Sequence, residues 1–296
     1  MPFVSRPFYD WQLRTRRLEL GRRTLVMGIL NVTPDSFSDG GLFFNARDAS
    51  QRALEHGISM LDQGADLIDV GGESTRPGSA RISPDEEQSR VLPVLDGILS
   101  ERPSAIVSID TFHSSTARYA IEAGAEIVND VSGHLWDEDM SSTCAELGCG
   151  AVLMHARGTP AEWRSLPALE PNEIMPLIVR ELEARATAAI AAGVARDHLV
   201  LDPGVGFGKR LEENYPILSH LDKMHRLKLP VLVGVSRKSF LRRALRVDDE
   251  RSRLNATTAA NTASILAGAH IVRVHDVETA VEAAAVADRI LRYSSL

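Results

Sequence analysis

Short apolar runs of strand length recur eight times along the chain, and each is followed by a segment long enough for a helix. The runs cover residues 24–30, 66–70, 105–109, 126–128, 150–154, 198–201, 230–235 and 270–274. Strands that alternate with helices form parallel sheets, because the chain must cross back over the sheet between parallel neighbours. Eight such units in 296 residues predict a (β/α)8 TIM barrel, an α/β fold, formed as one domain by residues 24–296. A doubly wound open sheet is the alternative, but the count of eight and the lack of a composition break favour the closed barrel.

The first 23 residues show a different pattern. Trp11, Leu13, Leu18 and Leu20 alternate with polar residues, which is typical of a short hairpin. This segment has several arginines but no apolar core of a secretory signal, and no run in the chain approaches the roughly 18 apolar residues of a membrane span. We therefore expect an N-terminal hairpin over residues 1–23 and a cytoplasmic protein with no membrane partner.

Helix signals support the alternating pattern. Residues 172–192 place Ile174, Ile178 and Leu182 on one face at helical spacing. Ser83, followed by a proline and three acidic residues, has the composition of a helix N-terminus.

Charge and cysteine content exclude several functions. The chain has 33 Lys and Arg against 40 Asp and Glu, a formal charge of −7, which argues against a nucleic-acid partner because such proteins present a basic surface. Its two cysteines, Cys144 and Cys149, do not form a Cys-x-x-Cys pair and are expected to be free thiols in a reducing compartment. Zinc-ligand spacings are absent from the sequence.

Every predicted strand ends on a polar or glycine-rich group. These groups are Asn31; Gly71, Gly72 and Glu73; Asp110; Asn129; His155; Asp202; Ser236, Arg237 and Lys238; and Arg273 with His275. A single polar residue after a strand is often only a turn former. Eight such ends lie at the carboxyl edge of a barrel, where active sites are found, and they predict one pocket in which these groups converge.

The residue types suggest what this pocket binds. Asp110, Asn129 and Asp202 suit a flat heterocycle that carries N–H donors and a ring carbonyl. Lys238, Arg273 and His275 supply positive charge for a phosphate-type anion, and the planar guanidinium of Arg273 can also stack on a ring. A magnesium ion fits such a site better than zinc, because it needs only one or two protein oxygens together with phosphates and waters.

Three loops stand out. Residues 31–41 and 72–79 mix Ser, Thr and Asp with Gly and Pro, as mobile lids do. The glycine run at residues 204–209 lacks the Gly-x-Gly-x-x-Gly spacing, and Arg210 stands where a P-loop requires Ser or Thr. This run predicts a loop whose backbone lies close to a ligand.

From about Leu18 onward the chain resembles the dihydropteroate synthase family. The similarity rests on long ordered segments, which are Met-Gly-Ile-Leu-Asn-Val-Thr-Pro-Asp-Ser-Phe-Ser-Asp-Gly at residues 27–40, Leu-Ile-Asp-Val-Gly-Gly-Glu-Ser-Thr-Arg-Pro-Gly at 67–78, and shorter matches at 108–111, 128–131, 201–204 and 236–239. Val205 departs from the family, which often has an aromatic residue there.

The resemblance implies an enzyme that condenses a dihydropterin methyl diphosphate with 4-aminobenzoate in folate biosynthesis, and it implies a role for each matching residue. Asn31 would bind Mg²⁺. The pterin would be held by Asp110, Asn129, Asp202 and Lys238, with Met154 along its face. Thr75, Arg76, Arg273 and His275 would contact the diphosphate substrate, and Phe37, Pro77, Phe207 and Ser239 would surround the aminobenzoate, whose carboxylate would lie at the helix beginning near Ser239. Asp39, Lys238 and Arg273 are the expected catalytic residues.

The same resemblance implies a homodimer formed through C-terminal helices. The alanine-rich residues 277–291 place apolar side chains on more than one helical face, which is consistent with a second contact.

Two other functions are compatible with parts of this pattern. A pterin-dependent methyltransferase would share the Asp and Asn set but would not need the diphosphate-binding cations or both long loops. A catalytically silent homologue would be expected to have lost Asn31, Asp110, Lys238 or Arg273, and all four are present.

Overall fold

A computed structural model describes residue 3 and residues 5–33, 46–74 and 81–293. Its strands are β1 (Tyr9–Gln12), β2 (Arg17–Leu20), β3 (Leu25–Asn31), β4 (Leu67–Gly71), β5 (Val107–Asp110), β6 (Ile127–Asp130), β7 (Gly150–Met154), β8 (Leu199–Asp202), β9 (Leu232–Val233) and β10 (Ile271–Val274). Its α-helices are α1 (Ala46–Asp62), α2 (Pro84–Glu101), α3 (Ser114–Glu122), α4 (Met140–Leu147), α5 (Pro171–Ala191), α6 (Tyr215–Ser219), α7 (Ser239–Arg242), α8 (Glu250–Leu266) and α9 (Val277–Tyr293).

Strands β3 to β10 form one parallel sheet in the order β8-β7-β6-β5-β4-β3-β10-β9. A parallel bridge between Leu201 of β8 and Val231, just before β9, joins the two ends of the sheet. The Leu201 amide donates to the Pro230 carbonyl at 2.9 Å in the same place. The predicted TIM barrel is confirmed, and each of the eight predicted runs overlaps one of its strands. The run at 230–235 yields only a two-residue strand, because β9 pairs with β10 through Leu232 and Val233 alone.

The predicted N-terminal hairpin is also present, and it closes the bottom of the barrel. Strands β1 and β2 pair antiparallel, with Trp11 opposite Leu18. Trp11, Leu13 and Leu20 are fully buried and pack on the lowest inward-facing side chains of the barrel strands. The Trp11 indole N–H donates to the His198 carbonyl at 2.8 Å, and the Thr15 amide donates to a Glu126 carboxylate oxygen at 2.8 Å.

On five strands the barrel interior changes from an apolar layer to a mainly polar one in a single inward step. Its floor is formed by Leu67, Ile127, Val152, Val200 and Ile271, one from each of five strands, against the hairpin. Residues two apart on a strand face the same side, so the next inward position on each strand lies one layer higher. Those positions are occupied by Asp69, Asn129, Met154, Asp202 and Arg273.

The helices form where the sequence predicts them. Ser83 precedes α2, and its hydroxyl accepts a hydrogen bond from the Glu86 amide at 3.2 Å. Helix α5 buries Ile174, Ile178 and Leu182, as its periodicity indicates. Across the described ranges, the helices are too short or too polar for any of them to traverse a lipid bilayer.

The hairpin is expected to contribute strongly to stability. Replacing the buried Trp11 by alanine leaves a cavity and an unpaired His198 carbonyl, so Trp11→Ala should lower the free energy of unfolding by about 3–5 kcal/mol in urea denaturation. Phe8→Ala is the control, since Phe8 is 70% exposed and should change stability by no more than about 0.5 kcal/mol. Equal effects of the two substitutions would contradict a closing role for the hairpin.

Candidate active site

The polar layer above the barrel floor is organised around Arg273. Its Nε donates to Asp69 Oδ2 at 2.5 Å and its Nη2 donates to Asp110 Oδ2 at 2.5 Å. Asn129 Nδ2 donates to the same Asp69 oxygen at 2.8 Å. Three of the residues predicted from the sequence therefore lie in one hydrogen-bonded network, and Asp69 joins them to one another.

Asp110 occupies an environment that disfavours its charge. Burial raises the pKa of Asp110 to about 7, with further increases from the nearby carboxylates of Asp69, Glu87 and Asp130, while Arg273 opposes the shift. Near neutral pH this carboxyl group can either accept or donate a hydrogen bond, depending on its proton.

Lys238 and Asp202 form the next part of the site. The Lys238 ammonium donates to the Val205 carbonyl and lies 4.5 Å from the centre of the Phe207 ring. Burial lowers the pKa of Lys238 to about 8, and the Asp202 carboxylate opposes that shift. Burial also raises the pKa of Asp202, whose Oδ1 accepts from the Gly204 amide at 2.7 Å. Its other carboxylate oxygen can accept from a ligand.

The glycine run is shaped by a neighbouring loop. Gly204 and Gly208 have φ of +64° and +70°, and a Cβ at these positions would lie 1.9 Å from the His155 carbonyl oxygen and 2.2 Å from the Arg157 carbonyl oxygen. The buried Lys209 ammonium donates to the carbonyls of His155, Pro203 and Gly204 at 2.7–2.8 Å. Glycine is required here because the backbone after β8 contacts the backbone after β7. The prediction that this backbone lies close to a ligand stays a prediction.

One wall of the site is apolar. Phe112, Val131, Met154 and Ala156 form a small buried cluster, with Trp136 and Phe207 packed against it. The Arg81 guanidinium lies over Phe112 and Trp136, 4.3 and 4.8 Å from the two ring centres. Met154 thus lies at the inner edge of an apolar surface, next to the polar network.

The later strands supply the remaining basic groups. His275 Nδ1 lies 3.0 Å from the Ser236 hydroxyl, which orients the imidazole after β10. Arg237 is paired with Asp276 instead, with Nη2 to Oδ1 at 2.5 Å. Ser239 begins α7, which is a single turn of four residues.

One predicted strand end does not join this network. His155, one of the eight polar strand ends, faces outward because it follows the inward Met154, and its Nε2 lies 3.1 Å from Glu181 of α5. The prediction that all eight ends converge is wrong at this position. Phe37, Asp39, Thr75, Arg76 and Pro77 lie outside the described residues.

Among the described residues, the carboxyl edge of the barrel offers few ligands for a metal ion. Asn31 ends β3 opposite Gly71 of β4, at the carboxyl edge of the barrel. In the part of the chain that the structure describes, no three His, Cys, Asp or Glu side chains are grouped as metal ligands. A single protein oxygen fits magnesium that shares its coordination with phosphates and water, and it does not fit a metal held by protein alone.

Asp69 and Lys209 are the site residues that the strand-end reasoning missed. Asp69 is interior to β4 rather than at its end. Its signal is a carboxylate two residues after Leu67 in an otherwise apolar strand, which is the same step that separates Ile127 from Asn129 and Ile271 from Arg273.

Comparison with known proteins agrees with this geometry. Residues 27–275 match the family model of pterin binding enzymes. The dihydropteroate synthase of Bacillus subtilis is 42% identical over 274 residues, which cover 93% of this chain and 91% of that protein. The Escherichia coli K12 dihydropteroate synthase is 41% identical over 266 residues, which cover 90% and 91%. The crystal structure of the Xanthomonas albilineans dihydropteroate synthase with 4-aminobenzoic acid superposes with a TM-score of 0.86 at 36% identity, over 96% of this chain and 98% of that one.

The glycine loop gives a test with an internal control. Gly148→Ala places a Cβ in open space at φ +59°, whereas Gly204→Ala has similar backbone strain and a collision with the His155 carbonyl. Strain alone costs about 1–3 kcal/mol. The loss in unfolding free energy should therefore be at least twice as large for Gly204→Ala as for Gly148→Ala. Only Gly204→Ala should also weaken binding of 6-hydroxymethyl-7,8-dihydropterin, and equal behaviour of the two variants would contradict the loop contact.

The pKa shifts predict how ligand binding depends on pH. Asp110, with a pKa of about 7, is mostly protonated at pH values below 7. Lys238, with a pKa of about 8, is mostly neutral at pH values above 8. Both groups are therefore ionised together only between about pH 7 and pH 8. Calorimetry with 6-hydroxymethyl-7,8-dihydropterin should show the highest affinity between pH 7 and 8 and weaker binding at pH 6 and pH 9. Asp110→Asn should remove the acid-side decrease and Lys238→Met the alkaline one. A flat profile for the unmodified protein would contradict both assignments.

Proposed function

The chain belongs to the pterin binding enzyme family and is a dihydropteroate synthase, and from this premise we propose how its residues divide the reaction among themselves. The enzyme is a transferase of folate biosynthesis. It joins (7,8-dihydropterin-6-yl)methyl diphosphate to 4-aminobenzoate and releases 7,8-dihydropteroate and diphosphate. The observation that carries the assignment of roles is the Arg273 network, in which residues from β4, β5, β6 and β10 meet above an apolar floor.

The pterin ring is held by the polar layer. Asp202 has one carboxylate oxygen occupied by the Gly204 amide, and the other accepts from the amino edge of the ring. Lys238 donates to the ring carbonyl, and Asn129 and Asp110 contact the opposite edge. Met154 packs along one face of the ring and the Arg273 guanidinium along the other.

At the reacting carbon, the protein contributes mainly by stabilising developing charges with its own charged groups, and less by transferring protons. Cleavage of the bond to diphosphate leaves a cation that is conjugated with the electron-rich dihydropterin. The aryl amine of 4-aminobenzoate is a neutral nucleophile at pH 7 and loses its proton after attack. Arg273, His275 and the residues Thr75 and Arg76 stabilise the departing diphosphate, while Asp39 stabilises the cation.

The aminobenzoate lies beside the pterin on the side of Phe207 and Ser239. Phe207 packs edge-on against Trp163 and carries the Lys238 ammonium on its face, so its ring is fixed from both sides. Phe37 and Pro77 complete the apolar wall. The carboxylate of the substrate is bound near Ser239 by the hydroxyl group, since α7 is only one turn long.

Magnesium is the proposed cofactor, bound by the Asn31 amide oxygen and the substrate diphosphate. When bound, it neutralises charge on the leaving group. The chain's own contribution is to place one neutral oxygen ligand at the carboxyl end of β3, beside the cations of β10.

We also propose that the protein is a cytoplasmic homodimer. Helix α9 buries Val277, Ala280, Ala284 and Ala287 against the barrel. Its opposite face exposes Val286, Ile290 and Tyr293, at 60%, 38% and 68%. Such a row of exposed large apolar side chains is typical of a surface that packs against a partner, here a second copy of α9. Both cysteines are buried free thiols, as a reducing compartment allows.

The activity itself is tested by following diphosphate release. Release should require both the dihydropterin methyl diphosphate and 4-aminobenzoate, with dihydropteroate formed in equal amount. Omitting 4-aminobenzoate should abolish turnover, and Lys238→Ala should lower kcat/KM at least about a hundredfold, in line with loss of a buried charged hydrogen bond. Turnover with one substrate alone would overturn the proposal.

The proposed role of Asn31 as a magnesium ligand is tested by ligand binding. Asn31→Ala should weaken binding of the diphosphate substrate in the presence of magnesium. It should leave the affinity for 6-hydroxymethyl-7,8-dihydropterin, which has no diphosphate, unchanged. If both ligands bind as in the unmodified protein across a magnesium titration, Asn31 is not a ligand.

The dimer is tested with two matched valines. Val286→Arg on α9 should convert a dimeric mass to a monomeric one in light scattering at micromolar concentration. Val247→Arg should not, although Val247 is equally exposed at 61%. A monomeric mass for the unmodified protein would refute the dimer.

A further inference from the structure

Asp69 contacts two substrate-binding residues without lying at the end of a strand. It is fully buried in β4, and its Oδ2 accepts hydrogen bonds from Arg273 Nε at 2.5 Å and from Asn129 Nδ2 at 2.8 Å. Its Oδ1 has no hydrogen-bond partner among the described residues. A charge so deeply buried is costly unless it is paired, which makes a purely incidental carboxylate at this position unfavourable.

The contact with Asn129 settles which way that amide faces. A carboxylate only accepts hydrogen bonds, so the amide nitrogen of Asn129 must face Asp69. The amide oxygen and one remaining N–H are then directed away from Asp69. Without this contact the amide could rotate by half a turn and exchange its acceptor for a donor.

The contact between Asp69 and Arg273 fixes the plane of the guanidinium group. Asp110 binds the guanidinium through Nη2 alone, and Asp69 binds it through Nε. Two carboxylates on different nitrogens of one rigid planar group leave it little freedom to turn. Stacking of Arg273 on a flat ligand depends on that plane.

We propose that Asp69 is a positioning residue for pterin recognition. It holds the Asn129 amide in the orientation that presents its oxygen to the ring, and it holds the Arg273 guanidinium in the stacking plane. This inference rests on the proposed binding of the pterin at this site and deepens it, because it explains how the acceptor pattern of the site is set.

The decisive experiment reverses the hydrogen bond between Asp69 and Asn129. Asp69→Asn puts two amides face to face, which allows Asn129 to turn, and should weaken 6-hydroxymethyl-7,8-dihydropterin binding at least tenfold in calorimetry. Asn129→Asp puts two carboxylates face to face and should weaken it at least a hundredfold.

The double variant Asp69→Asn with Asn129→Asp restores the hydrogen bond between these two residues in the opposite direction, but not the bond from Arg273 Nε, which uses the same Asp69 oxygen. It still presents an oxygen to the ring. Its affinity for the dihydropterin should be at least tenfold higher than that of Asn129→Asp, and kcat/KM should rise in parallel. A merely structural role would make the two losses multiply instead.

A neighbouring carboxylate provides the control. Asp130 is fully buried on β6, but it accepts from the amides of Ser132 and His134 and not from Arg273 or Asn129. Asp130→Asn should lower the melting temperature while changing dihydropterin affinity less than twofold.

The results of these binding experiments distinguish a failure of the positioning role of Asp69 from a failure of the proposed function. If the unmodified protein binds no dihydropterin, the proposed function fails. If it binds, and either Asp69→Asn binds equally well or the double variant shows the product of the two single losses, the positioning role is overturned. Should Asp69→Asn alone not fold, the gain from Asn129→Asp to the double variant carries the same test.

Discussion

The Arg273 guanidinium lies inside the barrel, where a cation is stable only if ionised partners replace the water it has lost. Asp69 and Asp110 supply those partners from two neighbouring strands, and Asn129 joins the network from a third. Each partner is fixed by the register of the parallel sheet, in which Gly71 pairs with Asp110 and Asp110 with Asn129. The position of the whole site therefore depends on a set of buried electrostatic contacts, and these in turn depend on barrel closure.

The layer of the barrel that stabilises the fold and the layer that binds the substrate are separated by two residues along each strand. The lower layer is apolar and closed by the hairpin, with Trp11 at its centre. The upper layer carries Asp69, Asn129, Asp202 and Arg273, whose electrostatic contacts are strongest where water is excluded. A barrel that was open below would expose the apolar floor to water and screen these contacts. The hairpin is thus a structural requirement of the polar layer, although it lies at the opposite end from the carboxyl edge.

The sequence predicts the barrel, the hairpin and most of the described site, because period-two and period-3.6 patterns and strand ends are local properties. Strand ends do not identify Asp69, because it lies inside β4. A carboxylate in an apolar strand is visible in the sequence, but only the fold identifies its partner Arg273, 204 residues later. The prediction that His155 faces the site is wrong for the opposite reason. His155 ends a strand as the others do, but alternation turns it outward to Glu181, and the exact end of a strand decides which of two adjacent residues faces inward. The role of Lys209 could not be predicted from the sequence either, because the three carbonyl groups that accept its hydrogen bonds come from two different loops.

The charge of the site also bears on the kind of ligand it accepts. Asp69 and Asp110 share one cation, Arg273, so this part of the network carries an excess of negative charge. A proton on Asp110, whose pKa is raised to about 7, can balance that excess in the free protein. A neutral heterocycle rich in N–H donors can replace the proton by hydrogen bonds, whereas a second anion placed among these carboxylates would meet repulsion. In the proposed complex the negative charge of the diphosphate would then lie outside this layer, towards His275 and the carboxyl end of β3. The same arrangement is consistent with the proposal that Asn31 is a single neutral ligand to a magnesium ion whose charge is balanced by the substrate rather than by the protein.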